Sequence, residues 1–383
     1  MQQADGQAVT EECWRAAVPL QVHLAENEVS SLEQPPVLYF LVPRQSYLHS
    51  VVPRALALLQ HLLPPGELAP WFEHGHLPLK WGVPAGVLYD LVAAPGGELP
   101  WRLTIHFRGF PDRQLAAYGG ESALRGAFFG SLKEAACIAR GSAQREDLWC
   151  QVLAGSLQPY SQILASLQLA PVAQRGGRRP AVPLRLYVRR DAGGYLSSYE
   201  DIAATSRPVE AEAADGGSIS LREVLLPLLA ECLAAGGGAA AGKAAPAAQS
   251  LPSTPVGRSS SAAGDGGASG SEPGAGTGAE GLVAPTAAEE AAGAAEAEPG
   301  QDAPDQQSSG AQAAAEEADG AVQAAAEPDG TAAAASWLEA AAAERRLLVG
   351  GVTPPLDAPL AWLHAHLHAA DYFLYIVVHA AGA

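Results

Sequence analysis

One stretch of the chain, residues 234–336, limits what this protein can fold into. It contains no Phe, Tyr or Trp and consists mainly of Ala, Gly, Pro, Ser, Gln and Glu. A segment of this kind buries too little apolar surface to offset the entropy lost when a chain is ordered. We therefore predict that residues 234–336 form a disordered insertion. The other 280 residues, which hold all 24 aromatic side chains, are expected to form the folded protein.

The acidic charge of the chain is concentrated in the same stretch. The whole sequence has a net charge of −18, of which residues 234–336 carry −12. This balance argues against nucleic acid as a partner, because a protein that binds the phosphate backbone needs a basic face. The sequence begins without the pattern of a secretory signal, and its longest run of large apolar residues, 372–378, is too short to cross a bilayer. We expect a soluble, cytoplasmic protein.

The first part of the folded sequence predicts a ubiquitin-like β-grasp domain. Residues 101–108 alternate between apolar and polar side chains, which is typical of a strand with one buried face. The predicted order is strand, strand, helix, strand, strand, helix, strand, as in that fold. The elements lie at 14–24, 37–42, 48–63, 71–73, 79–81, 85–92 and 101–108. We place this domain at residues 12–112.

Two further regions complete the predicted architecture. Apolar stripes at helical spacing indicate a helix-rich domain at 115–175. A second β-grasp order follows at 181–233 and 345–379, interrupted by the insertion. Its helix begins at a capping box, Ser220-Leu221-Arg222-Glu223, in which the serine and glutamate side chains bind free backbone amides. The fold class is therefore α+β, with two ubiquitin-like domains flanking a helix-rich domain.

Several segments, in order along the chain, carry a resemblance to a known family. They are Leu41–Leu48, Trp71–Glu73, Pro78–Trp81, Leu99–Trp101, Ile105–Phe107, Phe129–Ala135, Asp147–Trp149, Arg207–Val209, Pro359–Leu363 and His366-Leu367. Together they resemble the autophagy protein 5 family over roughly residues 12–233 and 345–379. The insertion and the loops near 190–205 depart from the family pattern.

The resemblance implies a role in autophagosome formation and a set of partners. Members of the family accept the ubiquitin-like modifier autophagy protein 12 on a lysine, through the E1-like and E2-like enzymes autophagy proteins 7 and 10. They also bind a helix of autophagy protein 16, and the conjugate acts like an E3 in the lipidation of autophagy protein 8. The implied protein is not catalytic alone, needs no cofactor or metal, and reaches the preautophagosomal membrane peripherally, through its complex.

Two residues of this sequence match positions with a role in the family. Lys133 lies in the segment that carries the conjugated lysine, and Arg44 matches an arginine that contacts the partner helix. On a helix, Lys133 is rotated by about 100° from the apolar stripe of Leu124, Phe128 and Leu132. We therefore expect its amine to face solvent. Without the resemblance, each would be read as an ordinary solvated side chain.

The histidines raise the question of a metal site, and the cysteines that of a reactive thiol. His364, His366 and His368 share a predicted helix, but no cysteine or acidic ligand lies at a suitable spacing, so we predict that they form a polar helix face. For the same reason we predict no metal site in the turn that contains His74 and His76. The four cysteines form no CxxC pair and are expected to be inert thiols. Cys137, four residues after Lys133, lacks the basic neighbour that a catalytic thiol needs.

Two alternative functions remain open from the sequence. A chain ending in Gly382-Ala383 resembles an unprocessed ubiquitin-like modifier, although the tail after Val378 is short for that role. A ubiquitin-like adaptor that is never conjugated is the other alternative. No P-loop, GxSxG or HExxH motif is present in the sequence, so it carries none of these common hydrolase signatures.

Overall fold

The computed structural model describes residues 2–30, 34–93, 97–137, 143–167, 170–171, 181–190, 196–213, 215–234 and 330–379. The predicted α+β class, with two ubiquitin-like domains flanking a helix-rich region, is confirmed. The disorder predicted for 235–329 concerns residues outside those described. None of the described helices is long and apolar enough to cross a membrane.

The first ubiquitin-like domain follows a helix at the start of the chain, α1 (Gln2–Arg15). Its elements are β1 (Ala17–Leu24), β2 (Leu38–Pro43), α2 (Val52–Leu59), β3 (Trp71–His74), β4 (Leu77–Pro78), α3 (Ala85–Val92) and β5 (Trp101–His106). The five strands form one sheet in the order β2-β1-β5-β3-β4, in which β1 runs parallel to β5 and antiparallel to β2. The inward side chains of β1 alternate with outward ones, as a sheet with one solvated face requires.

The helix-rich region packs around a cluster of large aromatic side chains. Its elements are α4 (Glu121–Ala135), β6 (Ala136–Cys137), α5 (Ala143–Ala154), α6 (Leu157–Ser166) and β7 (Ala170–Pro171). Phe128 and Trp149 are fully buried, and Tyr47 from the first domain joins them. The cluster therefore ties the helices to the first ubiquitin-like domain.

The second ubiquitin-like domain has the elements β8 (Ala181–Arg189), β9 (Ile202–Glu210), α7 (Leu221–Ala234), α8 (Gly330–Ala343), β10 (Leu347–Val349), α9 (Leu360–Leu367) and β11 (Leu374–His379). Its four strands form one sheet in the order β10-β11-β8-β9. Successive residues of β11 face opposite cores. Leu374, Ile376 and Val378 pack against helices of their own domain, while Tyr375 and Val377 pack against the first domain.

The capping box at the start of α7 forms as predicted. The Glu223 carboxylate accepts hydrogen bonds from the Ser220 backbone amide at 2.7 Å and from its hydroxyl at 2.8 Å. The Glu223 amide donates in return to the Ser220 hydroxyl at 3.3 Å. The bonds from Ser220 lower the pKa of Glu223.

Two predicted boundaries are wrong. The insertion was predicted to end at residue 336, but α8 begins at Gly330, because Ala334 and Leu338 are buried against the second core. The strand predicted from residue 14 begins at Ala17, because residues Gln2–Arg15 form α1, a helix that the sequence pattern did not predict. Contacts with distant residues stabilise α1, since the Thr10 hydroxyl donates to the backbone oxygen of His366 at 3.2 Å.

Candidate conjugation and docking sites

Lys133 lies in the last turn of α4, and its side chain is exposed. The residues beside it, Ser131 and Leu132, are buried, so the helix is held while the amine faces solvent. One turn earlier on the exposed side, Gly130 has no neighbouring atom within 4 Å of where a Cβ would lie. The predicted direction of Lys133 is therefore confirmed, because its side chain faces solvent.

A buried arginine of the second domain fixes the end of α4 that carries Lys133. Nη1 of Arg185, on β8, donates to the Ser131 hydroxyl at 2.9 Å, and Nη2 donates to the Glu134 carboxylate at 2.8 Å. The same guanidinium stacks over the Phe373 ring, with Cζ at 3.7 Å from its centroid. Residues two before and one after Lys133 are therefore bound to one cation, which restricts how this turn can move.

The Arg185 cation is balanced by buried oxygen atoms of β11 and the loop before it. Nη1 donates to the Tyr375 hydroxyl at 2.9 Å, and that hydroxyl donates to the Asp371 carboxylate at 2.7 Å. Burial acts to lower the pKa of Arg185, but Tyr375 and Asp371 outweigh it and raise that pKa. This network cannot be read from sequence patterns, because its members are far apart in the chain.

The chain contains only three lysines, so few other residues could accept a modifier on an amine. They are Lys80, Lys133 and Lys243. Lys243 lies outside the described residues. Lys80 is partly buried, with its Nζ 4.3 Å from the centroid of the Tyr199 ring, and burial lowers the pKa of its amine. Among the lysines in the described part of the chain, Lys133 is the exposed one.

Arg44 lies in a groove of about 510 Å³ where β2 ends. The groove is formed by α1, the start of β1, the 350–355 loop and α9. Its lining is mainly apolar and includes Val9, Ala16, Val352, Pro354, Trp362 and Leu367. Glu12 and Arg44 add one charge of each sign. A mainly apolar groove with few charges is suited to the apolar face of an amphipathic helix.

The Arg44 guanidinium is held by the first domain. Nη2 lies 2.5 Å from the Asp90 carboxylate and donates to the backbone oxygen of Gly86 at 3.3 Å. Burial raises the pKa of Asp90, and attraction to Arg44 opposes that rise. Gly351 lies against the same guanidinium at φ +89°, where a Cβ would approach Nη2 to 2.5 Å, so glycine is required there. The pairing with Asp90 was not predicted, because the two residues are 46 positions apart in the chain.

The prediction of a polar histidine face on α9 is wrong. His364 is partly buried against the Tyr372 ring, and burial, with His368 nearby, lowers its pKa to about 4. His366 packs under α1, where a Cβ on Gly6 would meet its ring at 2.5 Å. His74 lies in β3, and only His76 is in the exposed turn. Within the described ranges, no group of three potential ligands could hold a metal ion.

The cysteines and the C-terminal glycine are the other residues considered for a chemical role. Cys13, Cys150 and Cys232 are free thiols, and burial raises the pKa of Cys13 and Cys232. The side chain of Cys137 and the tail with Gly382 lie outside the described residues.

Comparison with known proteins identifies the family. The family model described as "Autophagy protein ATG5, UblA domain" matches residues 13–107, and "Autophagy protein ATG5, UblB domain" matches residues 181–378. The "Autophagy protein 5" of Arabidopsis thaliana is 33% identical over 258 residues, which cover 57% of this chain and 76% of that protein. The one of Oryza sativa subsp. japonica is 37% identical over 257 residues, covering 57% and 67%.

A solved structure shares the fold. The crystal structure of Kluyveromyces marxianus Atg5 matches with a TM-score of 0.53 and 13% identity, covering 97% of this chain and 99% of that one. Because the two ubiquitin-like domain models match on either side of the helix-rich region, and plant relatives match across most of their length, the chain belongs to the autophagy protein 5 family and has a role in autophagy.

Proposed function

We propose that this protein is the acceptor and scaffold of a ubiquitin-like conjugation step in autophagosome formation. Lys133 receives the modifier autophagy protein 12, and the Arg44 groove binds a helix of autophagy protein 16. The observation that carries the proposal is the exposed amine of Lys133 at the end of a helix fixed by Arg185. The protein supplies no catalytic residue of its own, so the conjugating enzymes perform the chemistry.

The proposed reaction is an acyl transfer from a thioester to an amine. Autophagy protein 7 activates the modifier, and autophagy protein 10 carries it as a thioester. The neutral Nζ of Lys133 attacks the thioester carbonyl, the C–N bond forms, the C–S bond breaks and the enzyme's thiolate leaves. The proton lost from Nζ passes to a base of the conjugating enzyme. Glu134 is unsuited to that role, because its carboxylate is already bound to Arg185 and Ser206.

The groove is suited to the apolar face of the partner helix. Trp362, Leu367 and Val352 line the groove with apolar surface, and Val352 is the exposed one of the three. Asp90 already pairs with the Arg44 guanidinium and neutralises part of its charge. Arg44 therefore contributes to the groove mainly through the surface of its side chain and less through its positive charge. With both partners in place, the conjugate acts like an E3 in the lipidation of autophagy protein 8. It works in the cytoplasm and reaches the preautophagosomal membrane through its complex.

Reconstituted lipidation tests the proposal. With the modifier, its enzymes, the autophagy protein 16 helix and vesicles containing phosphatidylethanolamine, Lys133→Arg should form no conjugate and fail to stimulate lipidation. Lys80→Arg is the matched control and should behave like the wild type. If Lys133→Arg forms no conjugate but supports normal lipidation, the protein is an unconjugated adaptor instead.

Binding of the partner helix is tested at the rim of the groove. Arg44→Glu would place a second carboxylate against buried Asp90 and disturb the fold, so Val352→Glu is the cleaner variant. It should weaken binding of the autophagy protein 16 peptide at least tenfold in calorimetry without changing the melting temperature. Leu68→Glu, an exposed apolar position outside the groove lining, is the control. Equal affinity for Val352→Glu and wild type would show that the helix binds elsewhere.

A further inference from the structure

The outer edge of β2 is unusual for a sheet edge in a soluble protein. Among the described strands, β2 has a neighbour on one side only. Natural edge strands are normally protected by charged residues, a bulge or a cover, because free backbone groups invite pairing. The strand Leu38–Pro43 contains no charged residue. Its outward side chains Tyr39 and Leu41 are 67% and 66% exposed, and Val37, just before the strand, is exposed on the same face.

The register of β1 and β2 shows which backbone groups are free. The Arg44 amide donates to the Ala16 oxygen, so this pair is hydrogen-bonded, and bonded pairs then recur at every second residue. Phe40 and Val42 therefore bond to β1, whereas Tyr39 and Leu41 direct their amides and carbonyls away from it. Pro19, which has no amide proton, faces Leu41 at one of the unbonded pairs, as this register requires.

A cation stands beside this edge on the other face of the sheet. The Arg54 guanidinium, on α2, lies 5.3 Å from the centroid of the half-buried Phe40 ring. Arg54 forms no ion pair with the residues that the structure describes. Leu58, one turn further along α2, is 51% exposed. An added strand would thus meet apolar side chains on both faces and the positive charge of Arg54, which is unpaired within the described residues.

We propose that the free edge of β2 binds an extended segment of a partner protein by strand addition. The segment carries apolar side chains at alternate positions and an acidic residue that faces Arg54. Main-chain hydrogen bonds to Tyr39 and Leu41 supply the pairing, and the side chains on the two faces supply selectivity. Pairing with a second copy of this chain is disfavoured, because it would bring two Arg54 side chains near the same pair of strands, and β2 itself carries no carboxylate to separate them.

A variant that lacks one backbone amide of β2 distinguishes binding by strand addition from binding by contact between apolar side chains. The probe is a fluorescent ten-residue peptide with Val at alternate positions, Thr between them and two Asp at one end, added to the full chain. Leu41→Pro removes an outward amide without removing a bond to β1, so it should fold and bind the probe at least tenfold more weakly. Leu41→Val keeps that amide and should bind like the wild type. Leu68→Lys is the surface control.

Two further measurements complete the test. A probe with methylated central backbone nitrogens should lose binding, and a probe with Lys in place of Asp should prefer Arg54→Glu over the wild type. In hydrogen exchange, the Tyr39 and Leu41 amides should exchange quickly in the free protein and slow at least tenfold with the probe. Equal binding by Leu41→Pro and Leu41→Val, or by the methylated probe, would overturn the proposal. So would a wild-type chain that dimerises through this edge or ignores the probe.

Discussion

The last strands of the two ubiquitin-like domains occupy equivalent places in their sheets but have different surroundings. In β5, buried Trp101, Leu103 and Ile105 alternate with Arg102, Thr104 and His106, which are more exposed. In β11, all six residues are buried. The first sheet has one core face, while the second lies between its own helices and the first domain. A continuous apolar run in a short strand thus indicates burial on both faces.

The two sheets also differ in how they serve the two proposed binding regions, the β2 edge and the surface around Lys133. The edge of the first sheet is open at β2, where apolar side chains face solvent. The second sheet instead uses its covered face to hold α4, through Arg185 on β8 and Tyr375 on β11. The first domain therefore offers surface to partners, and the second fixes the helix that presents Lys133.

Exchanging the residue type between outward positions of these two strands gives the largest expected effect. Val377→Arg places a charge without a partner between two cores and should lower the free energy of unfolding by about 3–5 kcal/mol. Arg102→Val, at an exposed position of β5, should change it by no more than about 0.5 kcal/mol. Denaturant unfolding measures both. Similar losses for the two variants would show that the sheets are equally covered.

Acid pH should destabilise the first core through His49. This ring is fully buried, its two nitrogens have no hydrogen-bond partner in the described structure, and burial lowers its pKa to about 3. The unfolded chain, with an ordinary pKa of about 6.5, takes up a proton that the folded chain cannot. The folded state therefore loses about 2 kcal/mol between pH 7 and pH 5 from this group alone.

The variant His49→Phe isolates this contribution. Its stability should fall less steeply with acid than that of the wild type, by about 1.4 kcal/mol per pH unit below pH 6. His61→Phe, at an exposed position, is the control and should keep the wild-type slope. Unfolding measured at pH 7, 6 and 5 checks the prediction, and parallel curves for wild type and His49→Phe would contradict it.

The smallest effect is expected from removing the segment that interrupts the second domain. Arg222, near the start of α7, forms an ion pair with Glu339, in the second half of α8, so the two helices run antiparallel and bring the ends of the segment together. Replacing residues 240–325 with a short Gly-Ser linker should preserve the cooperative transition. Stability should stay the same or rise by up to about 2 kcal/mol, because a shorter loop costs less entropy to close. Loss of the transition in calorimetry would show that the segment packs.

Sequence patterns predicted the features that depend on neighbouring residues. The direction of Lys133 follows from the helical spacing of Leu124 and Phe128, and the capping box follows from local hydrogen bonding. The missed features depend on distant partners. Helix α1 has a polar sequence with Gly6 inside it and is supported by His366, more than 300 residues away. The Ala-rich start of α8 resembles the preceding insertion in composition, so only its packing distinguishes it.

The position of the linkage in the conjugate decides whether Lys133 is the acceptor. The wild-type chain is incubated with the modifier and its E1-like and E2-like enzymes, and the product is measured by intact mass and peptide mapping. We predict one modifier, joined through an isopeptide bond to Lys133, present at wild-type yield in Lys80→Arg and absent in Lys133→Arg. A linkage at Lys80 or Lys243, or a conjugate formed by Lys133→Arg, would contradict the proposal.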